Sequence, residues 1–380
     1  MRALLLGLLL LPASPAAALE NGLGRKPLMG WSSWNAYAAS AALNESTILR
    51  VMDAMVDRSH GGVSLLDRGY RYVNLDDGIV LPERNSTDGT LLVDLARFPS
   101  GLAFLAAQAH RRGLLFGLYT ARGPRTCCGK AGSYGHEELD AATYAAIGVD
   151  YLKNDGCTGG KQLPGGLPNS SATLYAKMRD AVARATARTG RPIFLNIKQD
   201  VVPGGFSAAC ALANSFRISD DIKPCLGETG LITDIAAQAL RHAGPGCFLD
   251  LDSLEVGVDH GCPNERRSAA LGVDSNELGL TQWKAQLALW AVISAQMVLG
   301  NDLTTMSPAV RALLLSAGYI GVSQDPLGVP GRLLRIGDRN SAEVWAKPLS
   351  DRSFACVLWF RNQTLAIRTR DNKRLHSGMT

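Results

Sequence analysis

Short apolar runs alternate with longer stretches of helical spacing along most of the chain. After the first run, Ile48, Met52 and Met55 recur on one helix face, and residues 281–295 repeat that pattern before the last run. This alternation predicts parallel strands joined by helices. Eight runs are predicted to be strands, at residues 28–35, 70–78, 114–119, 149–157, 193–197, 215–221, 247–252 and 296–300.

Eight β/α units favour one closed sheet. They span about 300 residues of the 380, as in a TIM (β/α)8 barrel, whereas a doubly wound open sheet more naturally has five or six strands. Ser100 is predicted to cap the helix after the second strand, which Gly113 ends. Ser307 and Pro308 are predicted to open the last helix, and Gly318 to close it.

The pattern changes after about residue 326. Short alternating strands are predicted at residues 332–336, 341–346 and 354–360, which indicates a small antiparallel β domain. The tail at 365–380 is basic and weakly patterned, so this domain looks incomplete. The predicted organisation is therefore a leader at 1–18, a barrel at 19–325 and a partial antiparallel β domain at 326–380.

The first 18 residues have the pattern of a signal peptide. They hold one arginine, an apolar run too short to span a bilayer, and a small-residue cleavage site. No later stretch is apolar for about 20 residues, so we expect no membrane anchor and a destination outside the cell or in a lysosome or vacuole. Four glycosylation sequons, at Asn44, Asn85, Asn169 and Asn362, agree with the secretory route.

Composition excludes several function classes. The chain is 46% hydrophobic and 19% charged, and its formal net charge of +5 is scattered, so nucleic acid is not an expected partner. None of the eight cysteines has a CxxC or Cys/His spacing, which predicts disulfides rather than a metal site. We expect no metal and no cofactor.

The fourth predicted strand carries the first candidate chemistry. Barrel strands deliver their last residues to one face, where the active site is built. Lys153 and Asp155 are two residues apart and therefore point to the same side of the strand. Asp155 is a candidate nucleophile that the ammonium would keep ionised. A structural aspartate before a turn is the alternative reading of these residues.

Several other predicted strands also end beside carboxylates or aromatics. Without a metal or phosphate motif, this arrangement suits hydrolysis of a sugar linkage, which needs two carboxylates. Further carboxylates and a lysine would bind hydroxyls, and an aromatic ring would cover the apolar face of the sugar.

Nine ordered motifs extend this reading to a family. They lie at residues 22–34, 75–77, 117–119, 125–127, 152–157, 244–246, 288–291, 301–303 and 324–328. Together they resemble glycoside hydrolase family 27, the melibiase-like α-galactosidases and α-N-acetylgalactosaminidases. The resemblance runs from residue 22 to about residue 360.

The resemblance implies a retaining α-glycosidase acting on terminal non-reducing α-D-galactosyl residues through a covalent glycosyl-enzyme. Asp155 matches the nucleophile and Asp221 the acid/base. Asp220 competes with Asp221, because alternation cannot turn both toward the barrel axis, but the family's spacing from Arg217 favours Asp221. A disulfide between Cys127 and Cys157 is also implied. The family's sugar-contacting positions fall on Trp34, Asp76, Asp77, Tyr119, Lys153, Arg217 and Asp252.

The chain departs from the family at two places near the expected sugar. Gly78 and Ile79 replace a cysteine and a tryptophan, and residues 196–200 replace the Cys-Glu-Trp element near the 2-position. Lys198 would contact a hydroxyl or an acidic group there, or would be solvated. Activity on an α-N-acetylgalactosaminide or β-L-arabinopyranoside therefore stays open, as does a non-catalytic carbohydrate-binding role.

An oligosaccharide, glycolipid or glycoprotein is the implied substrate, with a homodimer left open. A metal-dependent lyase or isomerase on the same barrel is disfavoured by the absent ligand spacing.

Overall fold

A computed structural model describes residues 19–157, 171–198, 205–223, 226–258, 275–335 and 343–359. The predicted leader at 1–18, the sequons at Asn169 and Asn362, and two cysteines, Cys225 and Cys262, lie outside these ranges. So do residues 199–200 of the altered fifth strand and the basic tail.

Eight parallel strands form the central sheet, and each corresponds to a predicted run. The order around the sheet is β10-β1-β2-β5-β6-β7-β8-β9, so chain neighbours are also spatial neighbours, as a TIM barrel requires. The strands are β1 (Met29–Ser32), β2 (Tyr72–Asn74), β5 (Leu115–Ala121), β6 (Tyr151–Asp155), β7 (Phe194–Lys198), β8 (Ser215–Arg217), β9 (Phe248–Asp250) and β10 (Met297–Leu299).

Hydrogen bonds between the β9 side and β10 close the barrel. The Gln296 backbone N–H donates to the Leu249 carbonyl at 3.1 Å, and the Leu254 N–H donates to the Val298 carbonyl at 2.7 Å. Leu254 also forms a parallel bridge with Leu299. Because closure leaves no free strand edge, the predicted TIM barrel is confirmed.

Side chains alternate between two hydrophobic clusters, one on each face of the barrel wall. Outward residues such as Val73, Phe116 and Leu195 belong to the large core beneath the helices. Inward residues form a smaller cluster that includes Tyr151 and Phe194, whose rings stack at 5.7 Å. A residue's parity on its strand therefore decides whether it packs under a helix or points to the axis.

Gly117 on β5 provides space inside the barrel. A Cβ at this position would lie 2.0 Å from Asn74 Oδ1 and 2.8 Å from Tyr151 Cδ1. Only glycine therefore lets these two inward side chains stand side by side.

The helices fall between the strands, and the predicted cap at Ser307 is confirmed. Asn44 caps α2 by accepting from the Thr47 N–H, Gly148 ends α4, and Ser307 caps α9 by accepting from the Val310 N–H. The helices of the described chain are α1 (Trp34–Tyr37), α2 (Glu45–Val56), α3 (Gly101–Arg111), α4 (Glu137–Ile147), α5 (Ser171–Thr189), α6 (Phe206–Ala209), α7 (Leu226–Ala239), α8 (Ser275–Ile293), α9 (Pro308–Leu314) and α10 (Ala317–Ser323).

One predicted helix boundary is wrong, and one predicted capping hydrogen bond does not form. The last helix ends at Leu314 rather than Gly318, because Ser316 adopts an extended backbone and a new helix, α10, begins at Ala317. Ser100 precedes α3 but does not cap it, since its N–H and Oγ both donate to the Glu45 carboxylate.

A hairpin that the pattern did not predict follows β2. Its strands are β3 (Val80–Arg84) and β4 (Leu91–Val93), and the sequon at Asn85 lies in the turn. Arg84 pins the hairpin to α4 through a bidentate pair with the buried carboxylate of Asp140, at 2.7 and 2.8 Å.

A separate antiparallel sheet follows the barrel, as predicted. Its strands are β11 (Arg332–Arg335), β12 (Glu343–Pro348) and β13 (Phe354–Trp359), in that order. Among the helices that the structure describes, none combines the length and the apolar character needed to cross a bilayer.

Lys347 on β12 joins this sheet to the barrel. Its side chain is fully buried, and Nζ donates to Ser294 Oγ at 2.7 Å and to the carbonyls of Val322 and Ser323. Burial lowers the pKa of Lys347 to about 8, against a smaller opposing effect of Asp325. One buried ammonium group therefore donates hydrogen bonds to all three oxygens.

We expect Lys347→Met to lower the free energy of unfolding by about 1–3 kcal/mol, because it leaves those buried acceptors without a donor. Urea denaturation measures this loss. The control is Lys26→Met, at an exposed position. Equal stability of the two variants would show that the Lys347 hydrogen bonds do not stabilise the contact.

Candidate active site

Asp155 is the last residue of β6 and lies at the carboxyl end of the barrel. It is 8% exposed. The Gly156 N–H donates to Oδ1 at 2.6 Å, and the Tyr119 hydroxyl donates to Oδ2 at 3.1 Å. The next residue thus holds one carboxylate oxygen, and a tyrosine of the neighbouring strand β5 holds the other.

Lys153 lies between two carboxylates. Its Nζ donates to Asp76 Oδ2 at 2.8 Å and is 3.9 Å from Asp155 Oδ2, and the side chain is 18% exposed. The ammonium also lies 5.1 Å from the centre of the Tyr119 ring, within cation–π distance. Burial opposes its charge, but Asp76 and Asp155 outweigh burial and raise the pKa of Lys153.

The same balance sets the charge on the neighbouring groups. Burial alone would raise the pKa of Asp155, but Lys153, the Gly156 N–H and Arg217 outweigh it, and the pKa is lowered. Burial raises the pKa of Asp76 despite Lys153. Burial and then Asp155 raise the pKa of Tyr119, so its hydroxyl remains a neutral donor.

A second charged group lies at the ends of β8 and β9. Arg217 is 4% exposed, and its guanidinium is 2.5 Å from Asp221 Oδ1 and 2.7 Å from Asp252 Oδ2. Asp252 also accepts from the Ile222 N–H at 2.8 Å, and its backbone is left-handed with φ 71°. Aspartate tolerates this conformation better than most residues, and here it lets one carboxylate hold both Arg217 and the loop after β8.

The adjacent carboxylates of Asp220 and Asp221 contact different cations. Asp221 pairs with Arg217, while Asp220 Oδ1 accepts from Lys198 Nζ at 2.9 Å. Lys198 is only 19% exposed, so the solvated alternative for this lysine does not describe it. Burial would raise the pKa of Asp221, but Arg217 in particular outweighs it and the pKa is lowered.

The strand register places Asp155 and Arg217 at the same level of the sheet. Asn154 pairs with Ile197 across β6 and β7, and Lys198 pairs with Arg217 across β7 and β8. Asp155 is therefore level with Arg217 two strands away, roughly 10 Å at the usual strand spacing. Asp221 extends from the Arg217 side of this gap.

A pocket opens between the two groups. Of the predicted sugar-contacting residues, five line it, namely Trp34, Asp76, Lys153, Arg217 and Asp252. Asp77 points the other way along its strand end, and its Oδ2 accepts from the Cys128 N–H at 2.8 Å, so it braces the loop after β5. Tyr119 contacts Asp155 beside the pocket.

Inward residues one step deeper also line the pocket, and the sequence reading did not assign them. Asn74, Tyr151 and Asp250 precede Asp76, Lys153 and Asp252 by two positions. Asp250 accepts from Asn196 Nδ2 at 2.8 Å, and burial raises its pKa. Strand parity was the available signal, because residues two apart share a face.

The structure joins Cys127 to Cys157, the pair that the family resemblance implies, and also joins Cys210 to Cys247. Within the described residues, one group of three potential metal ligands lies close together, formed by Cys127, Asp155 and Cys157. Because both sulfurs are bonded to each other, they are not thiolate ligands, and a single carboxylate does not make a metal site.

Comparison with known proteins places the chain among sugar hydrolases. A family model described as Alpha galactosidase A matches residues 26–325. The chain is 35% identical to an alpha-galactosidase of Cyamopsis tetragonoloba over 351 residues, which are 92% of this chain and 76% of that protein. It is 34% identical to an alpha-galactosidase of Oryza sativa subsp. japonica over 353 residues, 93% of this chain and 76% of the relative.

Solved structures of alpha-galactosidases also match this chain. Alpha-galactosidase I of Mortierella vinacea superposes with a TM-score of 0.73 at 28% identity, covering 89% of this chain and 82% of that one. The alpha-galactosidase of Saccharomyces cerevisiae gives 0.72 at 29% identity, with 88% and 74% covered.

Glu255, just behind the pocket, is a buried carboxyl that sequence reasoning missed. It is 3% exposed, Asn35 Nδ2 donates to Oε1, and Oε2 has no hydrogen-bond partner among the residues that the structure describes. Burial and then Asp252 raise the pKa of Glu255 to about 8. The Glu255 N–H also donates to Gln286 Oε1 at 2.9 Å, so one residue links the segment after Trp34, the loop after Asp252 and helix α8.

Glu255→Gln should make the protein more stable at high pH. An unfolded glutamate has a pKa near 4.3, so the raised folded value means that stability is fully present below about pH 4 and is lost as pH rises through about 8. Glutamine does not titrate. Its advantage over wild type should grow by up to about 1 kcal/mol per pH unit in this window.

Urea denaturation of both proteins from pH 4.5 to 8.5 measures the difference. Glu83→Gln, which removes an exposed carboxylate, is the control. A constant difference between Glu255→Gln and wild type would contradict a buried neutral carboxyl.

Proposed function

Since this chain belongs to the alpha-galactosidase family of glycoside hydrolases, we propose that it hydrolyses terminal non-reducing α-D-galactosyl residues with retention of configuration. The observation that carries the proposal is the position of Lys153 Nζ, 2.8 Å from Asp76 and 3.9 Å from Asp155. It keeps a buried carboxylate ionised at the edge of a pocket whose other side holds Arg217 and Asp221.

Asp155 is the proposed nucleophile. One carboxylate oxygen attacks the anomeric carbon, the bond to the aglycone oxygen breaks, and Asp221 gives its proton to that oxygen. The product of this step is a glycosyl ester on Asp155. The Gly156 N–H and the Tyr119 hydroxyl hold the attacking carboxylate in one orientation, which favours the reactive geometry.

Asp221 is the proposed acid/base. In the second step its carboxylate takes a proton from water, the water oxygen bonds the anomeric carbon, and the ester bond to Asp155 breaks. Its side chain is 66% exposed, so water and leaving group can both reach it. The two inversions together give retention.

The remaining pocket residues are proposed to bind the sugar. Asp76 and Lys153 lie on one side of the pocket, and Arg217 and Asp252 on the other. Charged groups that are already paired bind hydroxyls without a large reorganisation. Trp34 is proposed to cover the apolar face of the ring.

The proposed setting is the secretory route, from the leader pattern at residues 1–18, with catalysis in the barrel at 19–325. An oligosaccharide, glycolipid or glycoprotein would supply the terminal galactose. Asp77 belongs to this proposal indirectly, because it positions the loop that carries Cys127.

Asp155→Asn should lower kcat on an aryl α-galactoside by at least about 10³-fold while leaving the thermal midpoint near that of wild type, because the amide cannot attack. Asp88→Asn, in an exposed turn, is the matched control. Asp221→Asn should hydrolyse a substrate with an activated leaving group slowly, and added azide should yield the α-galactosyl azide. Proton NMR of the first sugar product should show the α anomer.

Near wild-type turnover by Asp155→Asn, or a β anomer as the first product, would overturn the mechanism. Absence of turnover by the wild-type protein, with binding of the sugar retained, would instead support the non-catalytic alternative.

A panel of aryl glycosides should separate the sugar alternatives. We expect the α-D-galactoside to give the highest kcat/KM, above the α-N-acetylgalactosaminide and the β-L-arabinopyranoside, because relatives at 34–35% identity are named alpha-galactosidases. Preference for either other sugar would change the assigned substrate and leave the roles of Asp155 and Asp221 standing.

A further inference from the structure

Lys198 lies at the end of the strand between the two charged groups of the site. It is the last residue of β7, the strand between the one that carries Asp155 and the one that carries Arg217. Its Cα pairs with that of Arg217, and its predecessor pairs with Asn154. Its side chain is 19% exposed, so the ammonium is held against the protein rather than extended into water.

The contact of Lys198 with Asp220 separates two neighbouring carboxylates. Lys198 Nζ holds Asp220 Oδ1 at 2.9 Å, while the Arg217 guanidinium holds Asp221 Oδ1 at 2.5 Å. Asp220 is 94% exposed, so packing does not fix its side chain. Like charges on adjacent residues repel, and two cations on adjacent strands draw them apart.

We propose that Lys198 is a positioning residue for proton transfer: by holding Asp220 aside it fixes Asp221 as the carboxylate that faces Arg217. The inference rests on the proposed acid/base role of Asp221. Lys198 lies in the segment 196–200, which replaces the Cys-Glu-Trp element of the family.

The charges around Asp221 support this role. Burial is the largest influence on its pKa and would raise it, while Arg217, Lys153 and Lys198 lower it, and the net shift is downward. The cations come from β8, β6 and β7 respectively. Asp252, after β9, shares Arg217 with Asp221 and so weakens the hold of that cation on it.

Asp220 adds an opposing charge beside Asp221. While Lys198 is bound to Asp220, the pair presents little net charge to Asp221 at a distance. Removing either partner alone therefore changes the field at Asp221, and the two removals change it in opposite directions.

The test is the pH profile of kcat/KM on an aryl α-galactoside, whose basic limb reports loss of the protonated acid in the free enzyme. Lys198→Met removes a cation, so the basic limb should move to higher pH by about half a unit to one unit. Asp220→Asn removes an anion beside Asp221, so the limb should move to lower pH by a similar amount.

Two further variants control for structure and charge. Lys198→Arg keeps the cation and should keep the limb within about 0.2 units of wild type. Lys177→Met, at an exposed position of α5, makes the same change in net charge at a distance and should not move the limb. Thermal midpoints of all variants show that each is folded at the assay temperature.

Shifts of Lys198→Met and Asp220→Asn in the same direction, or no shift in either, would overturn the inference. This failure is distinguishable from failure of the proposed function. If Asp221→Asn keeps wild-type activity on a poor leaving group, the acid/base assignment itself is wrong. If Asp221→Asn is inactive there and the Lys198 variants keep the wild-type limb, only the positioning role is wrong.

Discussion

The buried ammonium of Lys153 is the interaction on which the barrel mouth depends. Asp76 and Asp155 are both less than a tenth exposed, and two carboxylates so close together repel strongly in a poorly solvated site. Lys153 forms ion pairs with both carboxylates, and Arg217 likewise forms ion pairs with both Asp221 and Asp252. Positive charge on strands β6 and β8 therefore lets several carboxylates coexist around one pocket.

The barrel wall makes this arrangement possible because alternation separates packing from chemistry. Outward residues meet the helices in one continuous core, while inward residues stack from an aromatic layer around Tyr151 and Phe194 up to the charged layer. Gly117 leaves the space that Asn74 and Tyr151 need to stand below the charges. The polar groups of the site thus rest on a rigid floor, which suits a reaction that needs fixed positions.

Patterns within a few residues predicted much of the fold and of the candidate site. Contacts between residues far apart in the chain could not be predicted in this way. The strand pattern located all eight barrel strands, and parity placed Lys153 with Asp155, since both features are read within a few residues. The partner of Lys153 lies 77 residues away, so Asp76 came only from the family resemblance. Asp250 was missed although its parity with Asp252 was available. The hairpin held by Arg84 depends on its contact with Asp140, 56 positions away, which no periodicity records.

Each of the two disulfides closes a ring of the chain that contains one of the two proposed catalytic aspartates. Cys127 and Cys157 span 30 positions that include Lys153 and Asp155, and Cys210 and Cys247 span 37 that include Arg217, Asp220 and Asp221. A protease that cuts one peptide bond inside either ring releases no fragment, because both new ends stay tethered to the barrel. A single cleavage inside either ring therefore leaves the chain as one covalently joined molecule.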